Sequence, residues 1–392
     1  MTDLERFATT VRFGRPDRLP NWEYGAWPQT LLRWHSEGLP EALQWPAGEP
    51  GCVLDRRDRA GMRIDMIPPF EEEILAEDER TITMRRWDGQ VTRALKEGAI
   101  DGIRTSMDQF LDAPVHDPGD FKALKCRYQA SAPERWNSAD WDVRLKEWRA
   151  NGSLFLPVPD PVDWDKRLKE WRHREWPLAL SGSGAWLGLY MQLRSWMGTE
   201  RLCYAFYDQP SLVHEMLDFF TDFVLSLMDK ALQTTTFDYF SFEEDFSYKS
   251  GPLMSPAHFR EFFAPRYRRI TDRLHKAGID IIMVDSDGNC EALIPMMLDV
   301  GINCIEPLEA AAGMDPVRLR KQYPKDLVLM GGIDKREVAE GPRAIEQELQ
   351  SKILPLRDRG GYIPFLDHLF TEDISYANFL YYLKVKEALL TG

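Results

Sequence analysis

Asp285 and Asp287 stand two residues apart at the end of an apolar run, in the segment VDSDGN, and Asp367 and His368 end another, FLDH. Two carboxylates this close can ligate a divalent cation, or one can hold the other's proton and titrate upward. Gly288 permits a tight turn after them. The plain alternative is a turn in which Asp285 caps the next helix. His368 can serve as acid, base, metal ligand or anion binder, with Asp367 near enough in sequence to tune it; a satisfied core histidine is the alternative there. The run SFEED adds Glu243, Glu244 and Asp245. Alternate side chains of a strand share a face, so Glu243 and Asp245 point one way and Glu244 the other. Which set faces the site stays open. IEPLE contributes Glu306, better placed than Glu309 on the loop beyond it. GGIDK contributes Asp334 and Lys335 behind two glycines that let backbone approach a ligand.

Aromatic side chains follow two other strand ends: Tyr24 and Trp27 in NWEYGAWPQ, and Trp186 and Tyr190 in SGSGAWLGLY. They can wall a pocket for a flat or apolar ligand, or fill core.

The elements that must position these groups are short apolar runs, each followed by a helix-like segment: PLALSGS, FDYFSFEED, GIDIIMVDSDGN, INCIEPLE, DLVLMGGIDK and GYIPFLDH. Near-continuous apolar runs fit strands buried on both faces of a parallel sheet. In a parallel barrel the carboxyl ends of all strands meet at one face, where active sites are built. The expected fold is α/β, a single (β/α)8 TIM barrel over residues 1–392, with its first strand near Leu19–Tyr24. A doubly wound open sheet ranks second, since the GxGxxG turn it usually carries is absent.

Residues 50–175 differ in texture. ERTITMRRWDGQVTRAL alternates around Asp88-Gly89, a hairpin signal, and this region reads as a β-rich excursion laid on the barrel. DWDVRLKEWR at 140–149 recurs as DWDKRLKEWR at 163–172. Two copies are too few for a solenoid, so two short amphipathic helices are expected. Farther on, Pro210–Thr234 reads as a long helix, and Ser255 with Pro256 should open another.

The chain has 392 residues, 44% of them hydrophobic, with 49 basic and 63 acidic side chains and a formal charge of −14. That balance argues against a nucleic-acid or anionic-membrane surface, both of which need a positive patch. No apolar stretch approaches the roughly 20 residues of a membrane span, and the first twenty residues lack the apolar core of a secretion signal. Cys52, Cys126, Cys203, Cys290 and Cys304 are scattered, odd in number and without a CxxC pair. Reduced thiols in a cytoplasmic protein follow.

The ordered series FGRPDRLP, SGSGAWLGLY, MSPAHFREFFAPRYRRI, MVDSDGN, GINCIEPLE, LMGGIDK and YIPFLDH resembles the uroporphyrinogen decarboxylase superfamily, most specifically from about residue 176 onward. That superfamily comprises single α/β barrels and spans porphyrinogen decarboxylases and corrinoid-dependent methyltransferases. The resemblance implies that His368 stands where the decarboxylases end their last strand in Asn-Leu-Gly-His, that Asp334 is the acid of their Gln-Gly-Asn-Leu-Asp-Pro motif, and that Tyr190 matches a substrate-binding tyrosine. Their arginine-bearing first-strand segment reads EYGAW here. An octa-acid pocket needs positive charge, so uroporphyrinogen decarboxylation is disfavoured. The methyltransferase branch holds zinc through a His-x-Cys pair where this chain has Asp285-Ser286-Asp287, with a further ligand in the region of Asp367 and His368. Oxygen ligands suit thiolate activation poorly but can hold zinc or another divalent ion.

The resulting expectation is a methyltransferase that moves a methyl group between a small molecule and a corrinoid carried by a partner protein. Asp285, Asp287, His368 and Tyr190 would be catalytic, and Asp285, Asp287, Glu306 and His368 would hold the metal. Tyr24, Trp27, Trp186, Glu244, Asp245, Asn289 and Asp334 would bind substrate. A decarboxylase or lyase acting on a porphyrinogen or other carboxylic acid is the alternative, and a non-catalytic binding barrel the third reading. The family often dimerises, so a homodimer is also expected.

Overall fold

The computed structural model describes residues 1–40, 53–96, 99–100, 103–104, 108–136 and 164–391. Seven strands form one parallel sheet and lie side by side in chain order: β1 (Asp58–Arg63), β2 (Leu178–Ser183), β3 (Tyr239–Glu243), β4 (Ile282–Asp285), β5 (Cys304–Glu306), β6 (Val328–Met330) and β7 (Tyr362–Ile363). A doubly wound sheet would reverse its strand order at the ligand crevice; this one does not. β2 to β7 fall on the six apolar runs, because a parallel strand covered on both faces has no place for alternating polarity.

Two differences from expectation concern the start of the sheet. Leu19–Tyr24 runs extended without becoming a strand. Side-chain carboxylates take the place of a ladder: the Asn21 amide donates to Asp55, whose own amide donates to the Asn21 carbonyl at 2.9 Å, and the Leu366 amide donates to Glu23 at 3.3 Å. A single parallel bridge joins Ala26 to Phe370. Conversely, β1 comes from the region read as an excursion. DRAGMR carries three charged side chains in six residues and does not look like a buried strand, yet it pairs with β2 along its whole length.

The hairpin forms as read, Thr81–Arg85 pairing with Val91–Leu95 in a four-stranded antiparallel sheet with Glu73–Glu77 and Gln109–Asp112. The second copy of the repeat is the helix Trp164–Trp171, while the first lies outside the described residues. The long helix spans Pro210–Leu232. Ser255 caps the next one through the His258 amide; that helix passes through a π-turn at Phe259–Phe263 before Ala264–Lys276, where Pro265 has no N–H to continue the α ladder. Among the described residues no helix is long and apolar enough to cross a membrane, and Cys126, Cys203, Cys290 and Cys304 are free.

The sheet's outer face packs on the helices in the main core. Its inner face carries a smaller cluster that includes Ala179, Tyr239, Met283, Cys304, Met330 and Phe365, and Phe7, Val11 and Trp22 from the start of the chain pack into it. The site lies on this inner face, toward the carboxyl strand ends.

Candidate active site

Register places three carboxylates in one row. Glu243 of β3 pairs with Asp285 of β4, which pairs with Glu306 of β5. In-register neighbours of a parallel sheet point to the same face, and Tyr239, Met283 and Cys304, two residues earlier on these strands or four, belong to the inner cluster. The open question about SFEED is thereby answered: Glu243 faces inward. Glu244 faces the helices, where its buried carboxylate accepts from the amides of Leu189, Tyr190 and Met191 and from the Tyr267 hydroxyl, capping the helix Leu189–Met197. Gly188 makes this approach possible, since a Cβ there would stand 2.2 Å from the Glu243 carbonyl oxygen.

Two arginines that sequence reasoning missed complete the row. Arg59 of β1 reaches Glu243 at 3.2 Å and Glu306 at 3.4 Å. Arg57 stands 4.0 Å from Glu306, over the ring of Trp22, and donates to the Glu23 carbonyl at 3.2 Å. Their signal was the alternation of Arg57 and Arg59 before an apolar stretch, hidden inside a segment read as an excursion. The positive charge lost from EYGAW thus returns from the next strand.

Asp285 is bound by the Tyr24 hydroxyl. Burial, then the neighbouring charges of Glu306 and Asp287, push its carboxyl well above the ordinary range. Glu243 is pushed up to about 7, by burial first, against the pull of Arg59. Three carboxyl groups face two guanidiniums here, and the like charge of Glu306 is one cause of the upward shift of Asp285.

At the mouth, His368 Nε2 lies 3.5 Å from Asp287, and its ring stacks against Tyr24 at 5.7 Å and Trp27 at 5.9 Å. Burial disfavours the imidazolium, but the Asp287 carboxylate outweighs it and the His368 pKa is raised; Asp287, despite its own burial, is lowered. Asp245 sits at the rim, 3.9 Å from Arg194, its carboxyl raised by burial and then by Asp287. Asp367 is fully buried and accepts from the Lys335 amide and ammonium and from the Ala310 amide. It therefore anchors the loop that presents His368.

Other expected residues lie elsewhere. Tyr190 packs in the outer core beside Phe263, at a ring distance of 6.1 Å, and not with the inner row. Asn289 is used locally, bonding the Ala312 carbonyl and the Glu291 amide. Asp334 caps the helix Lys335–Glu340 and pairs with Arg336. Trp186 is half-buried in the loop after β2. Gly331 and Gly332 bring backbone close to the neighbouring loop, a Cβ on Gly331 falling 2.0 Å from the Pro307 oxygen.

Of the four side chains considered for a metal, Asp285 is bound by Tyr24, Glu306 pairs with Arg59, and Asp287 and His368 pair with each other. Among the described residues no group of three or more His, Cys, Asp or Glu side chains is arranged to hold a metal ion. The donor set does not fit a zinc site, which needs three or four converging ligands.

A parallel sheet in chain order, with ionisable groups gathered at the carboxyl strand ends, defines an α/β protein of the kind that builds active sites there. The chain belongs to the uroporphyrinogen decarboxylase (URO-D) family, whose model matches residues 166–385, more than half of the sequence. No curated protein matches it in sequence. Among solved structures it is similar to a methyltransferase from Methanosarcina mazei, at 13% identity and a TM-score of 0.56, covering 99% of this chain and 98% of that one.

Proposed function

We propose that the chain is a single-domain barrel, closed by the extended Leu19–Tyr24 segment between β7 and β1, and that it works as a methyltransferase. In this reading it detaches a methyl group from a small O- or N-methylated molecule and passes it to a corrinoid carried by a partner protein. The observation that carries the proposal is the placement of Asp285, bound by the Tyr24 hydroxyl and in register between Glu243 and Glu306, in surroundings that push its carboxyl well above the ordinary range. Demethylation breaks a carbon–heteroatom bond, and the electron pair stays on the heteroatom, which then needs a proton. In this reading Asp285, its ionisation disfavoured by its surroundings, supplies it. The corrinoid, when bound, would supply the nucleophile whose electron pair forms the new bond to the methyl group. Asp285 regains its proton from solvent at the mouth, and Tyr24 and Trp27 wall the substrate. The similarity to a methyltransferase along nearly the whole chain supports this reading, and no step in it needs a metal.

A second reading, a decarboxylase or lyase on a small carboxylic acid, is favoured by Arg57 and Arg59 on the inner face. Three acids around them oppose a polyanion such as a porphyrinogen. The test is to mix the protein with a corrinoid protein and a panel of methylated and carboxylated small molecules, following the cobalt spectrum and carbon dioxide together. Substrate-dependent cobalt methylation supports the first reading. Carbon dioxide release without it transfers the case to the second, and neither signal rejects both.

A further inference from the structure

Glu23 lies fully buried between the segment that carries Tyr24 and the last helix, Tyr376–Leu390, and none of the chemistry above uses it. Its carboxylate accepts from the Lys386 ammonium, the Tyr382 hydroxyl at 2.8 Å and the Leu366 amide at 3.3 Å. Lys386, equally buried, also donates to the Trp22 carbonyl at 2.6 Å. The Glu23 carbonyl accepts from Arg57 at 3.2 Å. One residue therefore touches the three parts of the chain that feed the site. Tyr24 follows it directly and binds Asp285; Leu366 leads in two residues to His368; and Arg57 joins the acid row.

A buried ion pair is weak evidence of stabilisation, because removing two charges from water offsets most of their attraction. Leu19–Tyr24 itself makes no bridge to β7; backbone bonds tie the chain after it, at Gly25 and Trp27, to Phe370. The side-chain bonds of Glu23 make the connection to the Leu366 segment at the level of Tyr24 itself.

We infer that Glu23, through Lys386 and Tyr382, is a positioning residue that sets Tyr24 against Asp285 and brings His368 into its stack with Tyr24 and Trp27. This rests on the acid–base reading of the site, but its test needs no substrate. The His368 ring lies against two aromatic faces, so its Cε1–H resonance carries a ring-current shift, assignable by comparison with His368→Gln. The paired change Glu23→Leu with Lys386→Met removes both charges and the Leu366 bond. It should move that resonance toward the position of an unstacked histidine. Glu23→Gln with Lys386→Met keeps an acceptor for Leu366 and should restore most of the parent shift. If the paired variants do not fold, Tyr382→Phe retains both charges and should give a smaller displacement in the same direction. An unmoved His368 resonance in whichever variants fold overturns the inference, even if their melting temperatures fall. Loss of turnover with Asp285→Asn but an unmoved resonance here separates failure of this inference from failure of the proposed function.

Discussion

The Tyr24 hydroxyl donates to the Asp285 carboxyl group, joining residues 261 apart in sequence at the inner edge of β4. The contact places a phenol, whose own ionisation is pushed well upward by burial and by Asp285, beside an acid that is also pushed upward. Two groups that both resist ionisation thus stand in contact at the carboxyl end of β4.

Asp285→Asn keeps the shape of the side chain and removes the proton. The expected outcome is a fall in kcat of roughly 10²–10⁴-fold, the usual worth of general acid catalysis, with KM changed far less. Because the acid must be protonated, parent activity should decline as pH rises through the raised Asp285 value. The same variant should be more stable than the parent at neutral pH. A carboxyl whose folded pKa is raised contributes stability below its unfolded value and loses it as pH rises. Steady-state kinetics and thermal melts at matched pH check both halves.

His368 and Asp287 form an ion pair whose acid is substantially exposed, so its worth to stability is below about 1 kcal/mol. Its larger effect is on titration. Asp287→Asn should lower the His368 pKa toward that of an ordinary histidine, followed by NMR of the ring protons. The raised His368 value means the pair's stability is complete below the ordinary histidine range and disappears as pH rises through the folded value. The Asn variant should lose that part of the melting profile only. An unchanged His368 titration would remove Asp287 as its partner.

How much of this was written in the sequence depends on what each residue's signal requires. Asp285, Asp287 and His368 could be found because each ends an apolar run, and an ionisable group after such a run marks the carboxyl end of a buried strand. That Asp287 pairs with His368 while Asp285 pairs with Tyr24 could not be read, since both pairings cross the whole fold. Glu243 and Glu244 were interchangeable until the register of β3 on β4 assigned one to the inner face. Arg57 and Arg59 escaped notice for a different reason. A buried strand bearing charges on its inner face breaks the apolar-run rule, and the alternating hairpin that follows hid β1 from view. Asp334 and Asn289 show that acids and amides after strands also serve locally, Asp334 as a helix cap and Asn289 in bonds to the Ala312 carbonyl and the Glu291 amide.

Glu243 should leave a signature in the stability of the whole protein. Its carboxyl is pushed up from 4.5 to about 7, so the folded state binds a proton that the unfolded state has released across that interval. Stability is therefore expected to fall as pH rises from about 4.5 to about 7, with a slope of up to ~1.4 kcal/mol per pH unit for one proton. Glu244 is raised to about 7 as well, by burial opposed first by the Tyr267 bond, and adds to the same window. Glu243→Gln should lower the slope by up to ~1.4 kcal/mol per pH unit while leaving the sheet intact, measured by denaturant titrations at several pH values. A profile as steep as the parent's would assign the whole effect to other groups.

Glu244 and Gly188 test the division between inner and outer faces. Glu244→Ala strands three amides and the Tyr267 hydroxyl in the outer core. Each buried donor left unsatisfied costs about 1–3 kcal/mol, so a total loss on the order of 3 kcal/mol or more is expected even if water reaches some of them. Gly188→Ala drives a methyl into the Glu243 carbonyl at 2.2 Å; backbone cannot yield there as a flexible side chain would, and a destabilisation of about 2 kcal/mol or more follows. Glu244→Ala does not touch the acid row, whereas Gly188→Ala presses on the backbone of its member Glu243. Glu244→Ala should therefore lower the melting temperature while the folded fraction keeps near-parental kcat per active molecule, whereas Gly188→Ala, by moving the Glu243 backbone, should lower both. Similar kcat losses in the two variants would mean that Glu244 reaches the chemistry and that the sheet does not separate capping from catalysis.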